Sequence, residues 1–251
     1  MKNWAILTGI EGNLTAYEAV LADIKRLRIR VDELYILGDL VGPNPDCEKL
    51  VQRVRSPKRG EIQPQICIGW WEEQCFNLHG IGSSPDATEL RQKYGADTIK
   101  LLWDSVSRKT VEWLRSLNFG FHELDCLLIH GSTVSASDEL TPDTPLPVML
   151  DRAIRADANT LFCGRSGLAF EYQLQPTILN NWVMTLDSQE PPATVSATAR
   201  RAIGVGNVGR LSGQATYTLY DPDTNTVKFR NLYYSTRKGF QPEQYRIGIH
   251  S

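Results

Sequence analysis

The chain reads as short apolar runs separated by polar turns, and over its first two thirds those runs alternate with helical patterns. WAILT (4–8) predicts a strand. From Leu14 to Leu27, apolar residues fall at Leu14, Tyr17, Val20, Leu21, Ile24 and Leu27, the spacing of one helix face. ELYILGD (33–39) predicts a buried strand, followed by the turn GPNPD and a helix from about Asp46. PQICIG (64–69) predicts another strand. Residues 96–117 predict two helices, the second starting near Ser107 with Val111, Leu114 and Leu117 on one face. FGFHEL (119–124) and CLLIHG (126–131) are strands, 132–147 is a Pro- and Ser-rich loop, a helix is expected around Pro147–Arg155, and NTLFCG (159–164) is a strand. After about 168 the pattern is all strand: LAFEYQL, NWVMTL, RAIGVG and the hairpin QATYTLY-DPDTN-TVKFRNLYY. A polar loop is expected over 187–200. The order predicts one α/β domain over 1–235, with a large mixed sheet or two stacked sheets, and an irregular tail over 236–251.

Five polar turns directly follow buried strands: Gly9-Ile10-Glu11, Gly38-Asp39, Gly69-Trp70-Trp71-Glu72, His130-Gly131 and Gly164-Arg165. The C-terminal ends of strands in α/β sheets line the ligand crevice, so these turns are expected to share one pocket. Composition narrows the setting. With 41% apolar and 22% charged residues a packed core is expected, and a net charge of −2 leaves no electrostatic footprint for nucleic acid or an anionic membrane. The local basic cluster Arg53, Arg55, Lys58 and Arg59 reads as a solvated loop. No run approaches the roughly 20 apolar residues of a bilayer span, and Met1-Lys2-Asn3 does not read as the start of a secretory signal. The five scattered cysteines lack C-x-x-C spacing, which fits reduced thiols and a cytoplasmic location.

The order and spacing of the turns resemble the calcineurin-like metallophosphoesterases, in particular their small bacterial members. GDLVGPNPD resembles the family's second motif and its extension. EGNLTAYEAVLADI resembles the helix after the first motif, CLLIHGS the fourth motif, and AIGVGNVGR the late Gly-rich turn before the final hairpin. TVEWLRSLNFGFHELDCLLIHGS keeps the family's helix-strand-strand layout. The resemblance spans about residues 1–234 and implies a four-layer α/β/β/α sandwich of two mixed β-sheets flanked by helices.

The chemistry does not carry over with the layout. Where the family has D-x-H, this chain has Gly9 and Glu11 at the two ligand positions. Asp39 keeps the carboxylate that bridges two metals in the family. In the G-N-H-[DE] motif, Trp70 and Trp71 replace the asparagine and histidine, while Glu72 keeps the acidic end. His130 is retained, and Arg165 and Gly167 stand where G-H-x-H has its histidines. A two-metal phosphoesterase needs enough N and O donors to hold two ions about 4 Å apart. Asp39, His130 and Glu11 supply at most three donors, a set that suits at most one ion.

Metal loss would leave Asp39 buried beside Glu11, and buried carboxylates without partners are costly. An ion pair from Arg165 to Asp39, and also to Glu11, is expected to replace the lost cations. Trp70 and Trp71 are expected to fill space that metals and substrate use; the alternatives are that one packs in the core and the other lies on the rim, or that they stack on a ligand base.

Other motifs read as structural. GVGNVG (204–209) matches G-x-G-x-x-G but opens no helix, so a turn is expected. DPDTN (221–225) lacks the Gly and distal Glu of a calcium loop. His79 and His122 have no triad partner, and Ser132 reads as a turn cap.

Three functions follow. The first is a catalytically inactive metallophosphoesterase-like protein acting in binding or assembly, with no cofactor. Its remnant pocket is Glu11, Asp39, Glu72 and His130, and its ligand-facing residues are Asn13, Trp70, Trp71 and Arg165. The second is a divergent phosphatase or phosphodiesterase with one divalent ion (manganese, iron or zinc). The third is a phosphate or nucleotide sensor. The expected partner is a protein or a phosphate-bearing small molecule, with no nucleic acid and no membrane. The irregular segments 132–147 and 236–251 are the expected contact surfaces.

Overall fold

The structure is a computed structural model that describes residues 2–82, 88–174, 178–181, 184–185, 188–189, 193–196 and 199–236. The expected tail, 236–251, therefore lies outside the described residues beyond Thr236. In chain order the elements are β1 (Asn3–Leu7), α1 (Leu14–Arg26), β2 (Val31–Leu37), α2 (Cys47–Arg55), β3 (Gln65–Cys67), α3 (Trp70–Leu78), α4 (Thr88–Ser105) and α5 (Arg108–Leu114). There follow β4 (Gly120–Glu123), β5 (Cys126–Ile129), α6 (Leu146–Arg155), β6 (Thr160–Cys163) and β7 (Ala169–Leu174). Four short strands come next: β8 (Ile178–Asn181), β9 (Met184–Thr185), β10 (Ser188–Gln189) and β11 (Ala193–Ser196). Last come β12 (Arg200–Val205), β13 (Gln214–Asp221) and β14 (Thr226–Tyr233). Among the described residues no helix is long and apolar enough to cross a membrane.

Two five-stranded sheets carry the fold, in the orders β14-β13-β1-β2-β3 and β4-β5-β6-β12-β7. In the first, β1, β2 and β3 run parallel and β13 pairs antiparallel to β1. In the second, β5, β6 and β12 run parallel, with β4 and β7 antiparallel on the edges. Successive strand residues point to opposite faces, and WAIL shows the consequence. Trp4 and Ile6 pack between the sheets with Tyr35, Leu37, Leu128, Phe162 and Ile203. Ala5 and Leu7 face the other way, onto Val20, Leu50 and Val111 of the flanking helices. On the far side, Met149 and Ala153 of α6 cover Leu161 and Ala202. The layers are thus α/β/β/α, as expected.

Two elements differ from the sequence reading. Gly69–Glu72 opens the helix α3, because Glu72 folds back to accept from the Gly69 amide (2.8 Å), a capping contact at the N-terminus. The segment 187–200 holds β10 and all of β11, paired antiparallel with β9 and β8 respectively. Elsewhere the boundaries agree closely. α4 is broken at Gly95 (φ +80), next to the expected start at 96, and Ser107 caps α5. Within 132–147, Ser132 accepts from the Val134 amide (3.0 Å) and donates to Asp138, which Arg152 also holds (2.7 Å). Ser132 is a turn cap. Asp221 likewise ties the 221–225 hairpin tip through the amides of Asp223 and Thr224.

The basic cluster is more built than a solvated loop. Arg53 reaches Glu18 (2.5 Å) and Glu61 (2.7 Å), Lys58 reaches Glu18 (3.2 Å), and Lys25 reaches Glu61 (2.7 Å). Burial pushes the Glu61 carboxyl up, but the bonds from Lys25, the Lys58 amide and Arg53 outweigh it and hold it at about 2. A carboxyl depressed on folding stabilises the fold above its unfolded pKa and stops doing so as pH falls through its folded one. Glu61→Gln is therefore expected to cost about 1–2 kcal/mol at pH 7, discounted for the exposure of Lys25. The gap should narrow from about pH 5 towards pH 2. Urea unfolding of both proteins across that range checks it, and a gap independent of pH would remove Glu61 ionisation as its source.

Candidate functional site: an ion-pair cluster at the strand ends

The five turns do converge. β1 and β2 end side by side, with Thr8 Oγ1 donating to the Leu37 carbonyl (2.6 Å) and the Glu11 amide to the Asp39 carbonyl (2.9 Å). The amides of Gly164 and Arg165 both donate to the His130 carbonyl (2.7 Å each), joining the ends of β5 and β6. A sixth turn, after β12, docks on the first through Val208 N to Thr8 O (3.0 Å) and Gly209 N to Gly9 O (2.7 Å). Glu11 and Asp39 both sit at φ 50, a conformation that non-glycine residues hold only where their surroundings enforce it.

That sixth turn delivers Arg210, which the sequence reading did not single out. Its Nε donates to Glu11 Oε1 (2.7 Å), its Nη2 to Asp39 Oδ2 (2.9 Å) and its Nη1 to the Arg165 carbonyl (3.1 Å). The space it occupies exists because two neighbours lack side chains. A Cβ at Gly9 would lie 3.0 Å from Arg210 Nε, and one at Gly167 would lie 2.5 Å from Nη1. Both glycines also have positive φ, +58 and +68. These are two of the positions where the resemblance places metal ligands. The signal was present in the sequence: AIGVGNVGR ends on Arg210, and two acids faced one expected cation.

The expected ion pair between Arg165 and Asp39 is present but long, and the pair with Glu11 is made by Arg210 instead. Arg165 Nη1 stands 4.0 Å from Asp39 Oδ2, and its guanidinium lies over the Trp70 ring at 4.5 Å. The Asp39–Glu11 bridge belongs to Arg210. Trp70 and Trp71 are both buried, in an aromatic cluster with Tyr94 at centroid distances of 4.7–5.4 Å, so neither is a rim residue and the pair fills space.

Glu72 belongs to the frame. Completely buried, it accepts from the amides of Asp39 (2.8 Å), Val41 (3.0 Å) and Gly69 (2.8 Å), tying the turns after β2 and β3 together. Asn13 also works locally, as the N-cap of α1. Its Oδ1 accepts from Ala16 N (3.0 Å), and its Nδ2 donates to the Gly209 carbonyl (3.2 Å) and the Tyr234 hydroxyl (3.0 Å). His79 stacks on Trp103 and His122 meets the Asp157 carbonyl, both away from the cluster.

At the centre, Asp39 Oδ1 accepts from the Trp71 amide (2.8 Å) and lies 3.4 Å from His130 Nε2. His130 Nδ1 donates to the Leu37 carbonyl (2.7 Å), and Nε2 has no hydrogen-bond partner. Burial pulls the imidazole pKa down, against the pull of Asp39. Burial works against the Asp39 charge too, but His130, Arg210 and Arg165 together hold that carboxyl below its ordinary range. Glu11 is raised by burial despite Arg210, and burial with the nearby Asp39 pushes Glu72 up to about 8.

A pair of divalent ions, which the resemblance implies, does not suit these residues. Both Asp39 oxygens are already engaged by Trp71 and Arg210, and His130 Nε2 is the one unpaired imidazole nitrogen beside them. Two guanidiniums stand where cations would go. Among the described residues no group of three or more His, Cys, Asp or Glu side chains is placed to hold an ion.

No family model and no curated protein matches the sequence. Solved structures do. A metallophosphoesterase from Sphaerobacter thermophilus superposes with a TM-score of 0.62 at 22% identity, covering 93% of this chain and 89% of that one. A protein serine/threonine phosphatase from Saccharomyces cerevisiae gives a TM-score of 0.45 at 10% identity, over 97% of this chain and 84% of that one. A cold-active protein tyrosine phosphatase gives 0.47 at 15%, over 91% and 78%. The first of these, the two stacked mixed sheets and the six converging turns carry the fold assignment. This chain has the calcineurin-like metallophosphoesterase fold.

Proposed function

We propose that this protein is a catalytically inactive metallophosphoesterase-like protein, a pseudoenzyme that acts in binding or assembly. One observation carries the reading: the Arg210 guanidinium lies against Gly9 and Gly167 and holds Asp39 and Glu11 at hydrogen-bond distance. A fixed organic cation does for these buried carboxylates what ions do in a metal site, without the Lewis acidity or the bound hydroxide that hydrolysis needs. The five free cysteines, all buried, suit a reducing compartment, and we place the protein in the cytoplasm. Its partner in this reading is a protein or a phosphate-bearing small molecule.

The test is metal content with turnover. Protein purified from manganese-supplemented cells is expected to carry substoichiometric metal and to leave a phosphodiester such as bis(p-nitrophenyl) phosphate uncleaved above a protein-free control. Stoichiometric metal with turnover abolished by Asp39→Asn would overturn the reading. It would establish instead a reduced one-ion phosphoesterase. The observation on that side is His130 Nε2, whose lone pair faces Asp39 Oδ1 without a hydrogen bond.

A further inference from the structure

Arg165 is the unusual residue of the cluster. It is 8% exposed, yet none of its guanidinium N–H groups makes a hydrogen bond among the described residues, and Nε is buried without a partner. A desolvated guanidinium with unfilled donors is costly unless something else fills them. Two contacts fix its pose: the Trp70 ring under its face and Asp39 at 4.0 Å. A guanidinium lying on a ring presents its edge to an acceptor in its own plane.

That edge belongs to a cleft of about 390 Å³, whose walls include Trp71, Tyr94, Leu168, Asn207 and Leu211. Asn207 Oδ1 is a second buried polar atom without a partner on the same wall. The volume falls in the range of small-molecule sites, and the mix of aromatic and aliphatic walls with a few polar groups is their usual lining.

The charge around the cleft limits what enters. Arg210 is held by Glu11 and Asp39, and Lys93 lies over the rings of Trp70 and Tyr94 at 5.9 and 5.4 Å. Burial, and then the Asp39 charge, raise the Glu73 carboxyl against the pull of Arg165, so a third acidic group acts on this cluster. A dianion would meet Glu11, Asp39 and Glu73 with cations that are largely matched already. A monoanion with two in-plane oxygens satisfies Arg165 alone.

We infer that the cleft is a binding site for a small organic carboxylate with an apolar or aromatic body. Its carboxylate pairs in plane with Arg165 over Trp70, and its body lies against Trp71, Tyr94 and Leu168. The inference deepens the non-catalytic reading by naming a ligand class for the same pocket, and it rests on that reading only in that Arg165 stays free of metal.

The probes are phenylacetate, dimethyl phosphate and inorganic phosphate, titrated into the full chain with a chelator present. Tryptophan fluorescence and thermal unfolding are read in parallel. Phenylacetate is expected to give a saturable fluorescence change and to raise Tm by about 3 °C or more at several times its Kd. Arg165→Lys, which keeps the charge but loses the planar fork, should weaken binding about tenfold or more, and Arg165→Met should abolish it. Three results would overturn the inference: no saturable change with phenylacetate in wild-type protein, undiminished binding to a folded Arg165→Met variant, or tighter binding of either phosphate probe than of the carboxylate. The wild-type titration decides even if both variants fail to fold. Because no metal is present, a positive metal and turnover assay would defeat the pseudoenzyme reading without changing this result.

Discussion

Arg210→Met is expected to lose about 3 kcal/mol of unfolding free energy, near the low end of what breaking a buried ion pair costs. The substitution keeps much of the side-chain volume, so the loss reflects charge. Asp39 is completely buried and would keep only the Trp71 amide, distant Arg165 and His130 as partners, while Glu11 would lose its one close cation. Arg210 and Glu11 are each about a fifth exposed, so water screens part of the loss and keeps it near that low end. Urea unfolding measures the loss. Adding Asp39→Asn to Arg210→Met should recover part of it, giving a coupling of about 1–3 kcal/mol in a double-mutant cycle. A loss below about 1 kcal/mol with no coupling would mean that the pair contributes little and that Arg210 merely occupies the space.

Glu72→Ala is expected to be at least as damaging, for a different reason. Three buried backbone amides, from Asp39, Val41 and Gly69, lose their acceptor at once. Each buried donor left without a partner costs about 1–3 kcal/mol, and the emptied space adds to it. Glu72→Gln separates the two effects. Its one carbonyl oxygen can serve Asp39 and Gly69, which share Oε2, but its amide nitrogen would face the Val41 N–H. That variant should cost about 1–3 kcal/mol. Amide hydrogen exchange should speed up at Val41 alone in Glu72→Gln and at all three sites in Glu72→Ala. Near-neutral stability for both variants would show that Glu72 is not the tie between these turns.

Both experiments probe parts of the cluster that differ in how legible they were. Asp39, Glu11 and His130 follow apolar runs long enough to be strands, so their convergence could be read from the order of strands and turns alone. Glu72 was placed correctly in sequence but not in role. Its acidity suggested a pocket residue, whereas the fold directs both oxygens at backbone amides that belong to residues about 30 positions away. Asn13 shows the same ambiguity: it caps α1 and also lines a surface cleft, and an N-cap and a pocket amide look identical in sequence. Trp70 and Trp71 masked the start of α3, because bulky aromatic residues after a glycine resemble a turn as much as a first helical turn.

The sequence by itself determined the order of strands and helices: continuous apolar runs such as WAIL must bury both faces, and helical runs such as 14–27 must cover one of them. It left one large mixed sheet or two stacked sheets open; the four layers were what the family resemblance implied, and the two five-stranded sheets of the structure show them. The sequence also carried the expectation that donors for two ions are too few, since Gly9, Trp70, Trp71, Arg165 and Gly167 stand where the resemblance places ligands. Only the tertiary structure decided which cation reaches Asp39 and Glu11. Arg210 is 171 residues from Asp39 and 199 from Glu11, and it reaches both because the turn after β12 docks on the turn after β1. Electrostatic pairing is set by distances of a few ångströms, whereas local sequence patterns report only neighbours along the chain. The vacant side chains at Gly9 and Gly167 acquire their meaning from the guanidinium that lies between them.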